Sequence, residues 1–272
     1  MTASPVIEVA TPRTGLVLRR WSGSVIALVS VLGLAAIGWP LWIPVPAGAQ
    51  AHLAVAPFVL AALVPAVLLL GTVLLTDGGL NPRTLAMLGV LSALNAAVRA
   101  TLGAGTAGFE SVFFLLILAG RVFGPGFGFL LGCTSLFASA LLTGGVGPWL
   151  PFQMLCCAWI GLGAGLLPHR LRGRAELAVL VGYGIVCAYL FGLVMNLWSW
   201  PFLTSITGGA AAGGLEYLPG APLVDNLLRF GWYTLLTSTA GWDTGRAIAT
   251  TVALLLLGPV VLPVLRRANR SR

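Results

Sequence analysis

Glu176-Leu-Ala-Val-Leu-Val-Gly-Tyr-Gly-Ile-Val-Cys-Ala-Tyr-Leu-Phe-Gly-Leu-Val-Met-Asn-Leu-Trp198 decides the fold class. This run carries one charge, at its first position, and ends on a tryptophan. About 20 apolar residues in a helix, rising 1.5 Å each, match the roughly 30 Å hydrocarbon core of a bilayer. The loop before it holds Arg170, Arg172 and Arg174. Arginines gather on the cytoplasmic side and indole rings at the interfaces, so the run starts inside and ends at Trp198 outside.

Outward from this stretch the chain repeats the pattern. Further spans are predicted at Ser24–Trp39, Ala54–Leu75, Thr84–Val98, Ser111–Phe123, Gly126–Leu142, Trp149–Leu167 and Arg246–Leu265. Thr84–Val98 and Ser111–Phe123 are short for a bilayer core, so they extend into their linker or cross where the protein is thin. The first run, followed by the small residues of Pro46–Gln50, also has the layout of a cleavable leader, but its late start favours a retained helix. Composition agrees with this count. Hydrophobic residues make up 58% of the 272 and charged residues 8%, with mean hydropathy +0.99. A soluble domain carries about 25% charge, so a water-soluble enzyme and a disordered chain are both excluded. The reading is an all-α, polytopic membrane protein. A tail over 1–23 precedes two helices within 24–76; a six-helix domain fills 84–267, and a short tail covers 268–272.

All fifteen basic residues are arginine, against seven acids, for a net charge of +8. Their placement argues against nucleic acid, because the clusters flank apolar runs. These are Arg13, Arg19 and Arg20; Arg83; Arg170 to Arg174; and Arg266, Arg267, Arg270 and Arg272. Eight spans put all four groups on one side, with both ends of the chain there. Every acid falls outside the predicted spans or at an end, which speaks against proton or sodium coupling. Glu176 reads as a helix-dipole partner. Cys133, Cys156, Cys157 and Cys187 all lie in apolar runs and read as packing residues. His52 and His169 fall on opposite sides, and no catalytic motif or metal-ligand spacing is present. No cofactor or metal is expected.

Polar residues near the outer ends are the candidates for binding a ligand. Asn95 and Arg99 end one span and Glu110 precedes the next, with pairing of Arg99 and Glu110 across the turn as the alternative. Gln153 follows the Gly-Pro-rich turn of Leu142–Phe152. Asn196 lies near the end of the quoted run. Glu216 and Asp225 sit in Pro201–Gly245, read as the longest stretch outside the spans. Within it, Leu223–Leu236 is amphipathic and is interfacial, re-entrant or an additional span. Ser135, Ser139 and Thr143 recur at helical spacing and either face a partner or bond their own backbone. Seven of nine tryptophans fall at outer ends: Trp39, Trp42, Trp149, Trp198, Trp200, Trp232 and Trp242. They anchor the outer interface, or some of them, Trp149, Trp198 and Trp200 first, line a pocket for a flat or bulky ligand. Finally, Ala86, Gly89, Ala93 and Ala97 form a smooth strip of the kind that lets two membrane helices approach. Spacing alone favours a contact inside the bundle over one with another subunit.

Several of these segments, in this order, resemble the substrate-binding S component of energy-coupling factor (ECF) transporters, importers of the ABC type. The likeness runs through Leu94-Asn-Ala-Ala-Val-Arg99, the turn Gly103–Glu110, Ala119-Gly-Arg-Val-Phe-Gly-Pro125, and Ser139-Ala-Leu-Leu-Thr-Gly-Gly-Val-Gly-Pro-Trp149 with Gln153. It covers about two thirds of the chain and is nearest the cobalamin-type branch. It implies six helices with both ends in the cytosol, in the plasma membrane of a bacterium, and a vitamin or similar micronutrient as substrate. It also implies contact of Ala86, Gly89, Ala93 and Ala97 with a membrane-embedded T subunit, closure of the site by Thr101–Phe109, and ATP hydrolysis by a separate pair of ATPase subunits. The first two spans are additional to that pattern. A self-sufficient transporter or channel, an intramembrane enzyme and a structural membrane protein are the rival readings.

Overall fold

The computed structural model describes residues 20–42, 82–101, 111–206 and 214–270. The second extra span, Glu110, and most of the turn Thr101–Phe109 lie outside them. Every regular element of the described chain is helical: α1 (Arg20–Ile37), the one-turn α2 (Trp39–Trp42), α3 (Pro82–Thr101), α4 (Val112–Phe123), α5 (Pro125–Thr143), α6 (Leu150–Leu166), α7 (Gly173–Ile206), α8 (Leu223–Thr234) and α9 (Thr244–Arg270). Among the described residues four stretches are long and apolar enough to cross a membrane: Pro82–Thr101, Pro125–Thr143, Gly173–Pro201 and Leu223–Arg270. Gly23–Ile37, Val112–Phe123 and Leu150–Leu166 are shorter apolar helices.

The shortest of these is the most enclosed. α4 has twelve residues, about 18 Å of helix. Phe113 and Leu115 through Ala119 are buried, as are Gly120, Arg121 and Phe123. A helix apolar on every side belongs in a core, and α4 meets its neighbours α5, α6 and α9 all round. Close backbone approach makes this possible. A β-carbon on Gly120 or Gly128 would run into the Gly161 carbonyl oxygen, and one on Gly132 into the backbone of Cys157 and Ala158. The four cysteines are buried free thiols inside this packing.

The C-terminal third corrects the sequence reading. α7 passes through Pro201 to Ile206, although proline removes one helical hydrogen bond. Leu223–Leu236 is neither a loop nor a separate element. α8 runs through a π-helical segment, Leu235–Asp243, straight into α9. The helix that carries the last span therefore begins at Leu223, and Arg246, read as the first residue of that span, lies midway along its 48 residues. The polar run Thr237-Ser-Thr239 conceals this continuity from hydropathy. In the folded chain these residues gain partners through wider helical spacing, with the Thr244 hydroxyl donating to the Thr239 carbonyl at 2.7 Å.

α1 is seated on the bundle. The Trp159 indole of α6 donates to the Ser30 hydroxyl at 2.8 Å, Gly33 lies against Leu155, and Ile26 is buried in the main core. Interhelical hydrogen bonds between membrane helices average about 0.6 kcal/mol. Ser30→Ala is therefore expected to cost about that much, and no further loss should follow when Trp159→Phe is added. Thermal unfolding in detergent across the double-mutant cycle measures both terms; additive losses would show that the bond does not couple the helices.

Candidate functional site

One end of the bundle is built on arginine. Arg121, at the end of α4, is buried, and its Nε donates to Glu176 Oε1 at 2.7 Å. Its two Nη atoms donate to the carbonyls of Leu167 and Pro168 at 2.8 and 2.9 Å. Arg266 of α9 donates to both oxygens of the same carboxylate at 2.6 Å, and Arg172 stands 4.0 Å away. Arg83 donates to the Ala268 carbonyl, and Asn269 to that of Val122. The start of α3, the end of α4, the α6–α7 connection and the end of α9 thus meet at one end, as the arginine placement predicts for the groups described. Glu176 is in the first turn of α7, but its role is that of a shared anion tying three elements, more than the dipole partner expected.

The opposite end carries the candidate ligand residues, in three places. The first is the seam between α3 and α5. Ser92 and Thr134 share a hydrogen bond of 2.7 Å; Asn95 Nδ2 donates to Ser135 Oγ at 3.1 Å; Arg99 Nη1 donates to Ser139 Oγ at 3.0 Å. The α5 serines face a partner helix, whereas Thr143 bonds back to the Ser139 carbonyl. Asn95 is 1% exposed, and its Oδ1 has no hydrogen-bond partner. The Arg99–Glu110 pairing lies outside the described residues.

The second place is an aromatic cap. Trp198 stacks on Phe152 of α6 with ring centres 4.8 Å apart. Trp200 meets Tyr217 edge-on at 5.4 Å and Phe230 of α8 at 5.4 Å, and its indole donates to the Leu215 carbonyl. Ile37 and Trp39, from the end of α1 and from α2, join the same cluster. Glu216 and Asn196 flank it in the chain; Glu216 Oε2 and Asn196 Nδ2 are buried without a hydrogen-bond partner.

The third is an open hollow of about 370 Å³ bordered by Gly214, Leu215, Asp225, Leu228, Arg229 and Trp232. Arg229 closes one side by donating to the Gly214 carbonyl at 2.6 Å. Asp225 is exposed there. Trp149 caps α6 and is 42% exposed, and Gln153 is half-buried one turn on. The structure does not gather the nine described candidates on one wall.

A buried charged group escaped the sequence reading. Asp243 is 1% exposed within the Leu223–Arg270 helix, three residues before the expected start of the last span. Its Oδ1 accepts from Arg246 at 2.9 Å and its Oδ2 from Ser238 at 3.0 Å. In a plain α-helix, residues five apart point away from each other; the π segment brings Ser238 and Asp243 to one face. The Arg246 guanidinium lies 4.7 Å from the Phe191 ring centre and 5.8 Å from that of Phe113. Gly192 leaves the room, since a β-carbon there would overlap the Asp243 carboxylate. The Asp243…Arg246 spacing is a legible i,i+3 ion pair. It is hidden only by starting the span at Arg246.

The small-residue strip has a clear direction. Ala86, Gly89, Ala93 and Ala97 are all exposed, on the side of α3 away from α5, and nothing lies within 4 Å of where a Gly89 β-carbon would be. Among the described residues the internal contact favoured by spacing is not made. Spacing places residues on a common face but does not say which way that face points. Among the described residues no group of histidine, cysteine or carboxylate side chains is arranged to hold a metal.

A family model described as ECF transporter, substrate-specific component, matches residues 83–261, about two thirds of the chain. No curated protein and no solved structure gives a match.

Proposed function

Because the chain belongs to the family of ECF transporter substrate-specific components, we propose that it captures a vitamin or similar micronutrient at the end of the bundle opposite the arginines. As a family member it is a multi-pass membrane protein and a non-catalytic binding subunit, associated with ECF T and ATPase subunits. The match over 83–261 carries the reading. The fold supports it: the segments that meet at each end are those expected of a bundle with its arginine end in the cytosol and its ligand end outside. Cobalamin stands among the substrates to be tested; the family match does not select it.

In this reading α3 docks on the T subunit through Ala86, Gly89, Ala93 and Ala97. The strip is left uncovered by the other described residues, and small residues let another helix approach closely. ATP hydrolysis in the partners would tip the bundle and present the substrate inward. α1 leaves this arrangement open, because it packs on α6 and α7, whereas α3 packs on α5 and α4. Asp243 does not revive an ion-coupled carrier: both its oxygens are occupied, and Arg246 balances its charge.

The test is isolation of the protein from its own cells in mild detergent. A second membrane subunit and an ATPase pair are expected to come with it, and absence of both would defeat the proposal. Gly89→Leu adds bulk where the isolated protein has open space, so its melting temperature should stay within a degree or two of wild type. Recovery of the T subunit should fall at least tenfold. Unchanged recovery would place the docking face elsewhere.

A further inference from the structure

We propose that α1 and α2, which precede the family-matched region, supply a substrate-contacting residue, Trp39, and that the substrate presents a flat heteroaromatic face. The inference rests on the reading of the protein as a substrate-binding subunit. It concerns the described segment that precedes the family match.

Three observations carry it. First, α1 is held to the bundle along its length, by Ile26 in the core, Gly33 against Leu155, and the Trp159–Ser30 bond. Its far end therefore has a fixed place. Second, that place is the aromatic cap, where Ile37 and Trp39 are 2% and 8% exposed among Trp198, Trp200, Tyr217 and Phe230. Third, the cap and the residues that flank it in the chain hold buried polar atoms with no hydrogen-bond partner. Trp39 Nε1 is a donor without an acceptor, Asn196 Nδ2 is another, and Glu216 Oε2 is an acceptor without a donor. Buried polar groups in folded proteins are nearly always satisfied, and each exception calls for a reason. An indole N–H is normally satisfied when its ring is buried, as that of Trp200 is here.

The chemistry of these groups defines what would satisfy them. Surrounding rings favour a flat π-system that slides between them at stacking distance. Trp39 Nε1 and Asn196 Nδ2 ask for a carbonyl or ring nitrogen. Glu216 asks for an N–H or O–H. A heteroaromatic ring with both kinds of edge fits, and a saturated, flexible solute leaves the rings unpaired. Binding would part Trp39 from the rings of α7 and α8. That gives the extra helix a function: it forms one jaw of the cap and travels with the bundle.

The experiment uses the full-length protein in lipid nanodiscs, titrated calorimetrically with riboflavin and folate as flat heteroaromatic probes and with biotin as a saturated-ring control. Whichever probe binds is then titrated against Trp39→Phe, which keeps a ring and removes only the N–H, and against Trp242→Phe, which alters an exposed ring. The expected result is binding of riboflavin or folate, about tenfold weaker for Trp39→Phe and unchanged for Trp242→Phe. Melting temperatures of the variants show that each is folded. Equal affinity of wild type and Trp39→Phe overturns the role of Trp39 and leaves the binding-subunit reading standing. Binding of biotin alone overturns the substrate class. If no probe binds and no small molecule is released from wild-type protein taken from its own cells, the binding-subunit reading fails, and this inference fails with it.

Discussion

Replacing Glu176 with leucine is expected to lower the unfolding free energy by about 3–5 kcal/mol, the range for breaking one side of a buried ion pair. The side chain is 2% exposed and answers three arginines. Arg266 and Arg172 can turn toward water, since both are partly open at that end. Arg121 cannot. Its side chain is 2% exposed, and after the substitution it keeps only the carbonyls around Leu167 and Pro168, which carry no net charge. The penalty thus comes chiefly from a buried guanidinium left without its counter-ion, and only secondarily from the broken hydrogen bonds themselves. That argument makes a second variant decisive. Arg121→Met together with Glu176→Leu removes both charges and fills the space with apolar atoms, so the double variant should be more stable than Glu176→Leu alone. Thermal unfolding in detergent, followed by far-UV circular dichroism, gives the ranking. If the double variant is the less stable of the two, the network holds the end together by attraction and the desolvation account is wrong.

The same residues show what a sequence can and cannot reveal. Hydropathy and arginine placement located α3, α4, α5, α6 and α7 to within a few residues at most ends, because lipid forces apolar side chains and helical backbone on any crossing segment. The α8–α9 continuity was illegible for the opposite reason. Asp225, Arg229 and Thr237-Ser-Thr239 lower the hydropathy, yet helix persists because α7 shelters its polar side: Gly192 makes room for Asp243, and the Tyr189 hydroxyl lies 3.1 Å from that of Thr244. That shelter is tertiary and leaves no mark on the segment itself. The candidate site divides similarly. Asn95 and Arg99 reach serines on α5 that were recognised from their spacing. Trp198 and Trp200 lie at the end away from the arginines, but the sequence could not say that they turn inward to meet Trp39 and Phe230. A tryptophan at a helix end has the same spacing whether it anchors in lipid or closes a cap.

Gly161 is the position where a single added methyl group should do most damage. Three helices meet there: Gly120 of α4 and Gly128 of α5 each face the Gly161 carbonyl, and a β-carbon on Gly161 would overlap the carbonyl of Gly128. A side chain in the way can change rotamer, but a backbone oxygen held in helical bonding cannot, so α5 and α6 would have to separate. Their separation would loosen the buried side chains around α4, where Leu116, Ile117, Leu118, Phe127 and Leu130 have no exposed surface. Overpacking a close-packed core costs about 1–3 kcal/mol, and more where nothing can yield. Gly161→Ala should reach the upper end of that range, and Gly161→Leu should yield little folded protein. Gly182 provides the control. It lies within α7 with nothing within 4 Å of its β-carbon position, so Gly182→Ala should be neutral, or stabilising by up to about 1 kcal/mol through helix propensity. Gly128→Ala should resemble Gly161→Ala. Combining the two should cost less than their sum, because one separation of α5 from α6 accommodates both methyl groups. Melting temperatures of the three single alanine variants and the double variant in detergent test this. Equal stability of Gly161→Ala and Gly182→Ala would mean that the helices do not meet through their backbones, and additive losses would mean that the two glycines serve separate contacts.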